Sequence, residues 1–161
     1  MVLYLLRHGD AVDNPTLLDS ERPLSTLGLQ QATAAAQFLK RSRVSLDLVV
    51  ASPLVRARQM AQPAKELLGV QELLTSEYLT PGSSHRQLFE LLNIRKPGSA
   101  LLVGHEPHLS TAIGLLTSGE TTARIEMKKA SCACVEIPVP IEPGCGVLKW
   151  LVTAEQFMVG R

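Results

Sequence analysis

Three short, near-continuous apolar runs constrain this chain more than any other feature: VLYLL at 2–6, LDLVVA at 46–51 and ALLVG at 100–104. A strand with one wet face alternates apolar and polar residues, whereas a strand buried on both faces does not. Such runs therefore suit a parallel sheet covered by helices on each side. The sequence between them carries the helical period that this architecture needs. Gly28, Ala32, Ala35, Ala36 and Leu39 mark one apolar face behind the cap candidates Ser25 and Thr26. Ser52 followed by Pro53 reads as a second helix start, a capping residue with Pro in the first turn. Its stripe of Ala57, Ala61, Ala64 and Leu68 runs to a stop at Gly69, with a kink expected at Pro63. Leu88, Leu91 and Leu92 mark a third helix, and Leu109, Ala112, Ile113 and Leu116 a fourth. Two further strands are expected around 131–138 and 146–153. The alternation predicts an α/β fold with a sheet covered on both sides, and leaves the strand order open.

A chain of 161 residues with 45% hydrophobic content is long enough for one domain, 1–161, with a sizeable core. The formal net charge of +1 gives no broad electrostatic footprint for nucleic acid or an anionic membrane. The apolar runs fall far short of a bilayer span, and the N-terminus lacks the basic and long apolar regions of a signal peptide. A cytoplasmic location is the expectation that follows. Cys132, Cys134 and Cys145 are odd in number and lack paired CxxC spacing. They read as reduced thiols, the first two as small strand residues that pack, rather than as metal ligands.

In open α/β sheets, ligands bind beyond the carboxyl ends of the strands. Three of these strands end in candidate chemistry. The first gives Arg7 and His8, the second leads to Arg56 just past Ser52 and Pro53, and the third gives His105 in LLVGHEP. Arg22, in SERPLS, lies in the loop after the first strand. Arg56 falls in the first turn of a helix, where the macrodipole disfavours a cation. That placement makes sense if an anion binds nearby. Taken singly, an Arg past a strand end is usually a solvated loop residue, and a His there a hydrogen-bonded structural one. Their joint placement, without a carboxylate cluster for metal, points to a phosphate pocket.

The RHG of Arg7, His8 and Gly9 right after an N-terminal strand resembles the signature of the histidine phosphatase superfamily, also called phosphoglycerate mutase-like. The ordered segments RPLSTLGLQQA (22–32), SPLVRARQMA (52–61) and LLVGHEP (101–107) support it. The short length and the RHGD, ERPLS and LTPG segments are most similar to small bacterial phosphohistidine phosphatases of the SixA type. The resemblance implies a three-layer sandwich with a mostly parallel central sheet and helices on both faces. It implies that His8 is the nucleophile and forms a phosphohistidine intermediate, without metal or cofactor. Arg7, Arg56 and His105 then surround the phosphoryl group, with Arg22 as a further contact. In-line attack by a neutral imidazole, with Arg forks and a protonated His on the equatorial oxygens, is chemically consistent. Gly9 is expected to let the backbone pass close to the phosphate.

The chain departs from ester-cleaving relatives at the general acid. Many of them carry Glu or Asp between the equivalents of Arg56 and His105. Here that region offers Glu77 in SEYLTPG, where Tyr78 competes for the matching place. An alkoxide leaves poorly without a proton, and general acid help is worth roughly 10²–10⁴-fold. A protonated imidazole leaves far more readily, so a weak acid favours phosphohistidine over an alkyl phosphate. The short Arg56–His105 span, without room for a helical lid, suits a phosphohistidine displayed on a protein such as a histidine phosphotransfer domain. Two alternatives stand beside this reading: a phosphatase for small phosphate esters with Glu77 as acid, and a non-catalytic phospho-binding module. Asp10 and Glu106 lie near the site in sequence without being obvious substitutes for the acid. His108 reads as a helix-surface or pocket-rim residue, His85 as first turn of the third helix, RIEMKKAS (124–131) as a solvated basic face, and Trp150 as packing.

Overall fold

The computed structural model describes residues 1–159; Gly160 and Arg161, the end of the expected 1–161 domain, lie outside the described residues. The elements are β1 (Val2–Arg7), α1 (Thr26–Arg41), β2 (Leu48–Ala51), α2 (Val55–Leu67), β3 (Leu73–Thr75), α3 (His85–Arg95), β4 (Ser99–Gly104), α4 (His108–Ser118), β5 (Cys132–Glu136), β6 (Val147–Val152) and α5 (Ala154–Met158). Short 3-10 turns occupy Asp19–Glu21 and Glu77–Leu79. Six strands form one sheet in the order β3-β2-β4-β1-β5-β6. The first four are mutually parallel, and β5 runs antiparallel to both β1 and β6.

Two-sided burial explains why the three apolar runs lack alternation. Leu3 and Leu5 of β1, Val50 of β2 and Leu102 of β4 pack with Leu88 and Leu92 of α3 and Ile113 of α4. Leu6, Val49, Ala51, Leu101 and Val103 pack on the opposite face with Ala32, Ala36, Ala57 and Ala61 of α1 and α2. The result is the expected three-layer sandwich with a mostly parallel sheet. Alternate residues of each strand thus reach different helical layers, so both sets must be apolar. Trp150 packs against Tyr4 and Phe38 at ring separations of 5.9 and 5.6 Å.

Ser25 caps α1, its side chain accepting from Gly28 N–H. The second helix departs from expectation: α2 starts at Val55 behind an extended Leu54, without a side-chain cap. Ser52 is not available as the cap because its hydroxyl lies in the core, 2.8 Å from the ring of His105. Helix α2 continues through Pro63 and gives way at Gly69, whose φ of +68° suits glycine. β3 and α5 were not legible in the pattern. One is a three-residue edge strand, the other a five-residue helix held by a Thr153–Gln156 capping box.

Candidate active site

Strands β1 and β4 are neighbours in register, with Arg7 opposite Gly104, so His8 and His105 both follow at the carboxyl edge. His8 is clamped on two sides: its N–H donates to Gly104 O (3.0 Å) and its carbonyl accepts from Ala130 N–H (3.1 Å). Gly9 also meets a steric demand of the fold. A Cβ there would lie 2.7 Å from Gln31 Oε1 and 3.2 Å from Gly28 Cα, so glycine is needed where β1 runs onto α1. Its carbonyl also accepts from the His8 ring, Nδ1 being 2.8 Å from Gly9 O.

That contact places the His8 proton on Nδ1 and leaves the Nε2 lone pair available. Nε2 accepts a long hydrogen bond from Arg56 Nε at 3.4 Å. Burial pushes the His8 imidazole down to about 4; the Gly9 carbonyl opposes this, and the charges of Arg56, Arg7 and Lys129 reinforce it. The ring is neutral at pH 7, as an attacking nitrogen must be. Arg56 is buried, its terminal nitrogens donating to Asp19 O (2.6 Å) and Asp19 Oδ2 (3.0 Å). Asp19 Oδ1 takes Arg22 Nη1 at 3.2 Å, and Arg22 Nε donates to Val12 O. Arg22 therefore joins the site through Asp19. The Arg56 hydrogen bond foremost, and Arg22 after it, hold the Asp19 carboxyl below its ordinary value.

The His105 ring lies 5.0 Å from that of His8 and is only 2% exposed. Its Nε2 meets Ser52 Oγ at 2.8 Å. Leu54 N–H donates weakly into the same Oγ at 3.4 Å; with the serine hydrogen on Nε2, the imidazole proton sits on Nδ1. Burial, then the neighbouring His8 and Arg56, push His105 down to about 3. In the ligand-free chain His105 is therefore neutral, because a cation there would be desolvated beside Arg56. It still offers a donor. His105 Nδ1 and Arg7 Nε are buried and, among the described residues, without a hydrogen-bond partner, while Arg7 Nη1 is tied to Met127 O at 2.8 Å. Buried donors of this kind, at the same strand ends as a neutral His8, suit an anion.

Other candidates fall elsewhere. Glu77 is exposed in the 3-10 turn after β3, a turn that contacts β4; among the described residues no hydrogen bond ties its carboxylate to His8, Arg56 or His105. Asp10 is held by Lys129 Nζ (2.7 Å) and Ser25 Oγ (2.7 Å), which keep its carboxyl below the ordinary range. Glu106 Oε1 accepts from Ser110 N–H in the first turn of α4. Of the helix-surface and pocket-rim roles expected for His108, the helix-surface one is corrected: it is 3% exposed and stacks on His85 at 4.0 Å, because the start of α4 is covered by the start of α3. Segment 124–131 is not simply a solvated face. Met127 is buried, and the segment supplies the backbone partners of Arg7 and His8. Sequence reasoning missed Asp19, whose only signal was its place three residues before Arg22, and it misread Ser52 as a cap. Cys132, Cys134 and Cys145 are free, the first two buried. Among the described residues no His/Cys/Asp/Glu group could hold a metal ion, and no helix is long and apolar enough to cross a membrane.

The histidine phosphatase superfamily (branch 1) profile matches residues 3–80. An uncharacterized protein of Picosynechococcus sp. is 31% identical over 138 residues, 81% of each chain. The phosphohistidine phosphatase SixA of Escherichia coli is 29% identical over 157 residues, 93% of this chain and 92% of that one. The solved structure of the protein histidine phosphatase SixA complexed with tungstate superposes with a TM-score of 0.87 at 25% identity, covering 97% of this chain and 99% of that chain. With the RHG segment on β1, the paired strand ends and these relatives in agreement, the chain belongs to the histidine phosphatase superfamily and is SixA-like.

Proposed function

We propose that this chain removes the phosphoryl group from a phosphohistidine on a protein, through a covalent phosphohistidine on His8. The observation that carries the proposal is the state of His8: a neutral, clamped imidazole with its proton on Nδ1 and its Nε2 lone pair facing Arg56. Nε2 attacks phosphorus in line, and the P–N bond of the substrate breaks as the new one forms. The Arg56 Nε edge, Arg7 Nε and His105 Nδ1 donate to the equatorial oxygens. His8 becomes a phosphoimidazolium whose Nδ1–H stays on Gly9 O. Water then takes the phosphoryl group, and His8 leaves as the neutral ring it began as. Every proton needed by His8 is already in place.

The groups that touch His8 support this substrate class: among the described residues, none of them is an acid. His8 and His105 are neutral bases at pH 7 and Asp19 is held ionised. An alkoxide would leave such a site slowly. The span between Arg56 and His105 is taken up by the rest of α2, β3, a 3-10 turn, α3 and β4, with Leu88 and Leu92 of α3 committed to the core, which supports an open mouth fit for a protein surface. Relatives named as SixA phosphohistidine phosphatases support the same substrate class. A small-ester phosphatase with Glu77 as acid is the competing reading, favoured by the contact between the Glu77 turn and β4. The test compares turnover of a phosphorylated histidine phosphotransfer domain with a panel of sugar phosphates, in wild type and in Glu77→Gln. Preference for the phosphoprotein with no effect of Glu77→Gln is expected. Preference for sugar phosphates, lost in Glu77→Gln, overturns the reading.

A further inference from the structure

Transfer between two histidines poses the same electrostatic problem twice. A phosphorylated imidazole departs as a good leaving group only if its other ring nitrogen carries a proton, which makes it a cation while phosphorylated. For His8 that N–H has a fixed acceptor, Gly9 O at 2.8 Å. The substrate ring needs an equivalent acceptor on the far side of the phosphoryl group, toward solvent.

Resting on the proposed function, we infer that Asp19 is that acceptor and selects substrates whose leaving group is an imidazolium. Its side chain is 64% exposed, while that of the Arg56 it holds is 6% exposed, so the carboxylate stands outside the guanidinium at the mouth of the site. Asp19 occupies the terminal nitrogens of Arg56 through its own backbone O and Oδ2, and Arg22 through Oδ1. The Nε edge of Arg56 stays turned to His8 Nε2. A phosphoryl group can therefore enter between His8 and Arg56 without displacing Asp19. The carboxylate keeps unused lone pairs, since each oxygen makes one side-chain hydrogen bond. It is ionised, so it accepts a proton-bearing nitrogen and cannot donate to an alkoxide.

The step balances. The substrate ring enters with one nitrogen phosphorylated and the other carrying N–H donated to Asp19. The His8 Nε2 lone pair forms the new P–N bond, the electron pair of the old one returns to the substrate nitrogen, and that ring leaves neutral with its N–H retained. The carboxylate favours the protonated, reactive form of the substrate ring and so extends activity to higher pH. The charged groups around it are Arg56 of α2 and Arg22 of its own loop, with the neutral but titratable His8 and His105 behind Arg56 and the charged Lys129 beyond His8.

The test uses two small probes, phosphoimidazole and p-nitrophenyl phosphate, with wild type and Asp19→Asn across pH 6 to 9. Asn keeps an oxygen for the arginines and removes the charge. The expected result is a phosphoimidazole kcat/KM that falls at least tenfold further than that for the aryl ester, a factor in keeping with one charge-assisted hydrogen bond. The alkaline limb of the phosphoimidazole profile should also move to lower pH. Equal losses on both probes with an unmoved limb overturn the inference and reduce Asp19 to a positioning residue for Arg56. A wild type that ignores phosphoimidazole and phosphohistidine alike overturns the proposed function itself, which is a separate outcome.

Discussion

Replacing Ser52 by Ala removes the only side chain that, among the described residues, is hydrogen-bonded to the His105 ring. Ser52 is fully buried, and its Oγ lies 2.8 Å from His105 Nε2. The substitution leaves that nitrogen unpaired in the core, a cost of about 1–3 kcal/mol in stability. It also frees the tautomer. With the hydroxyl gone, the proton is no longer confined to Nδ1, and the form with a lone pair facing the phosphoryl group becomes populated. A weakening of that donor by about 2 kcal/mol corresponds to roughly 30-fold in rate. Losing an oxyanion-type donor completely costs about 10²–10³-fold, which sets the ceiling. Turnover, urea unfolding and ¹⁵N chemical shifts of the His105 ring together test this. A variant within twofold of wild type in turnover, with the Nδ1–H tautomer intact, refutes the reasoning.

Acid should weaken the fold before it reaches ordinary carboxylate titration. His105 and His108 are pushed down to about 3 and about 4 from a usual 6.5, chiefly by burial. Below pH 6.5 the unfolded chain takes up protons that the folded one refuses, so stability present above 6.5 is lost as pH falls toward the folded values. The loss is on the order of 2 kcal/mol per buried ring by pH 4.5; equal urea midpoints at pH 7 and 4.5 contradict it. Gly28→Ala should destabilise severely, because a Cβ there lies 2.0 Å from the Asp10 carbonyl, where backbone must move. An unchanged Tm counts against that. The His8 ring signals should not titrate between pH 8 and 5.5 in phosphate-free protein, and an NMR midpoint near 6.5 would contradict the neutral, buried ring.

The period of the apolar residues made the architecture legible, because two-sided burial leaves a direct mark on β1, β2 and β4. Arg7, His8 and His105 could be located for the same reason, being the first polar residues past buried strands. Arg56 stood out as a candidate through its poor fit to a helix start. What stayed hidden depends on which chain ends meet. Ser52 has the local chemistry of a cap, and only the adjacency of β2 and β4 turns its hydroxyl to His105. Asp19 looks like half of an ordinary surface pair with Arg22 until the fold brings Arg56 to its other oxygen. His108 was read as helix surface or pocket rim because nothing local to α4 announces that α3 covers it. The close approach of Gly9 to α1 was equally invisible in the sequence.

The covalent step at His8 can be observed directly by rapid acid-free quenching during turnover of a ³²P-labelled phosphohistidine protein, followed by mapping of the labelled peptide. A transient, acid-labile and base-stable phosphate on His8, absent in His8→Ala along with turnover, is the predicted result. Full turnover with no phosphate on His8, or retained by His8→Ala, contradicts it.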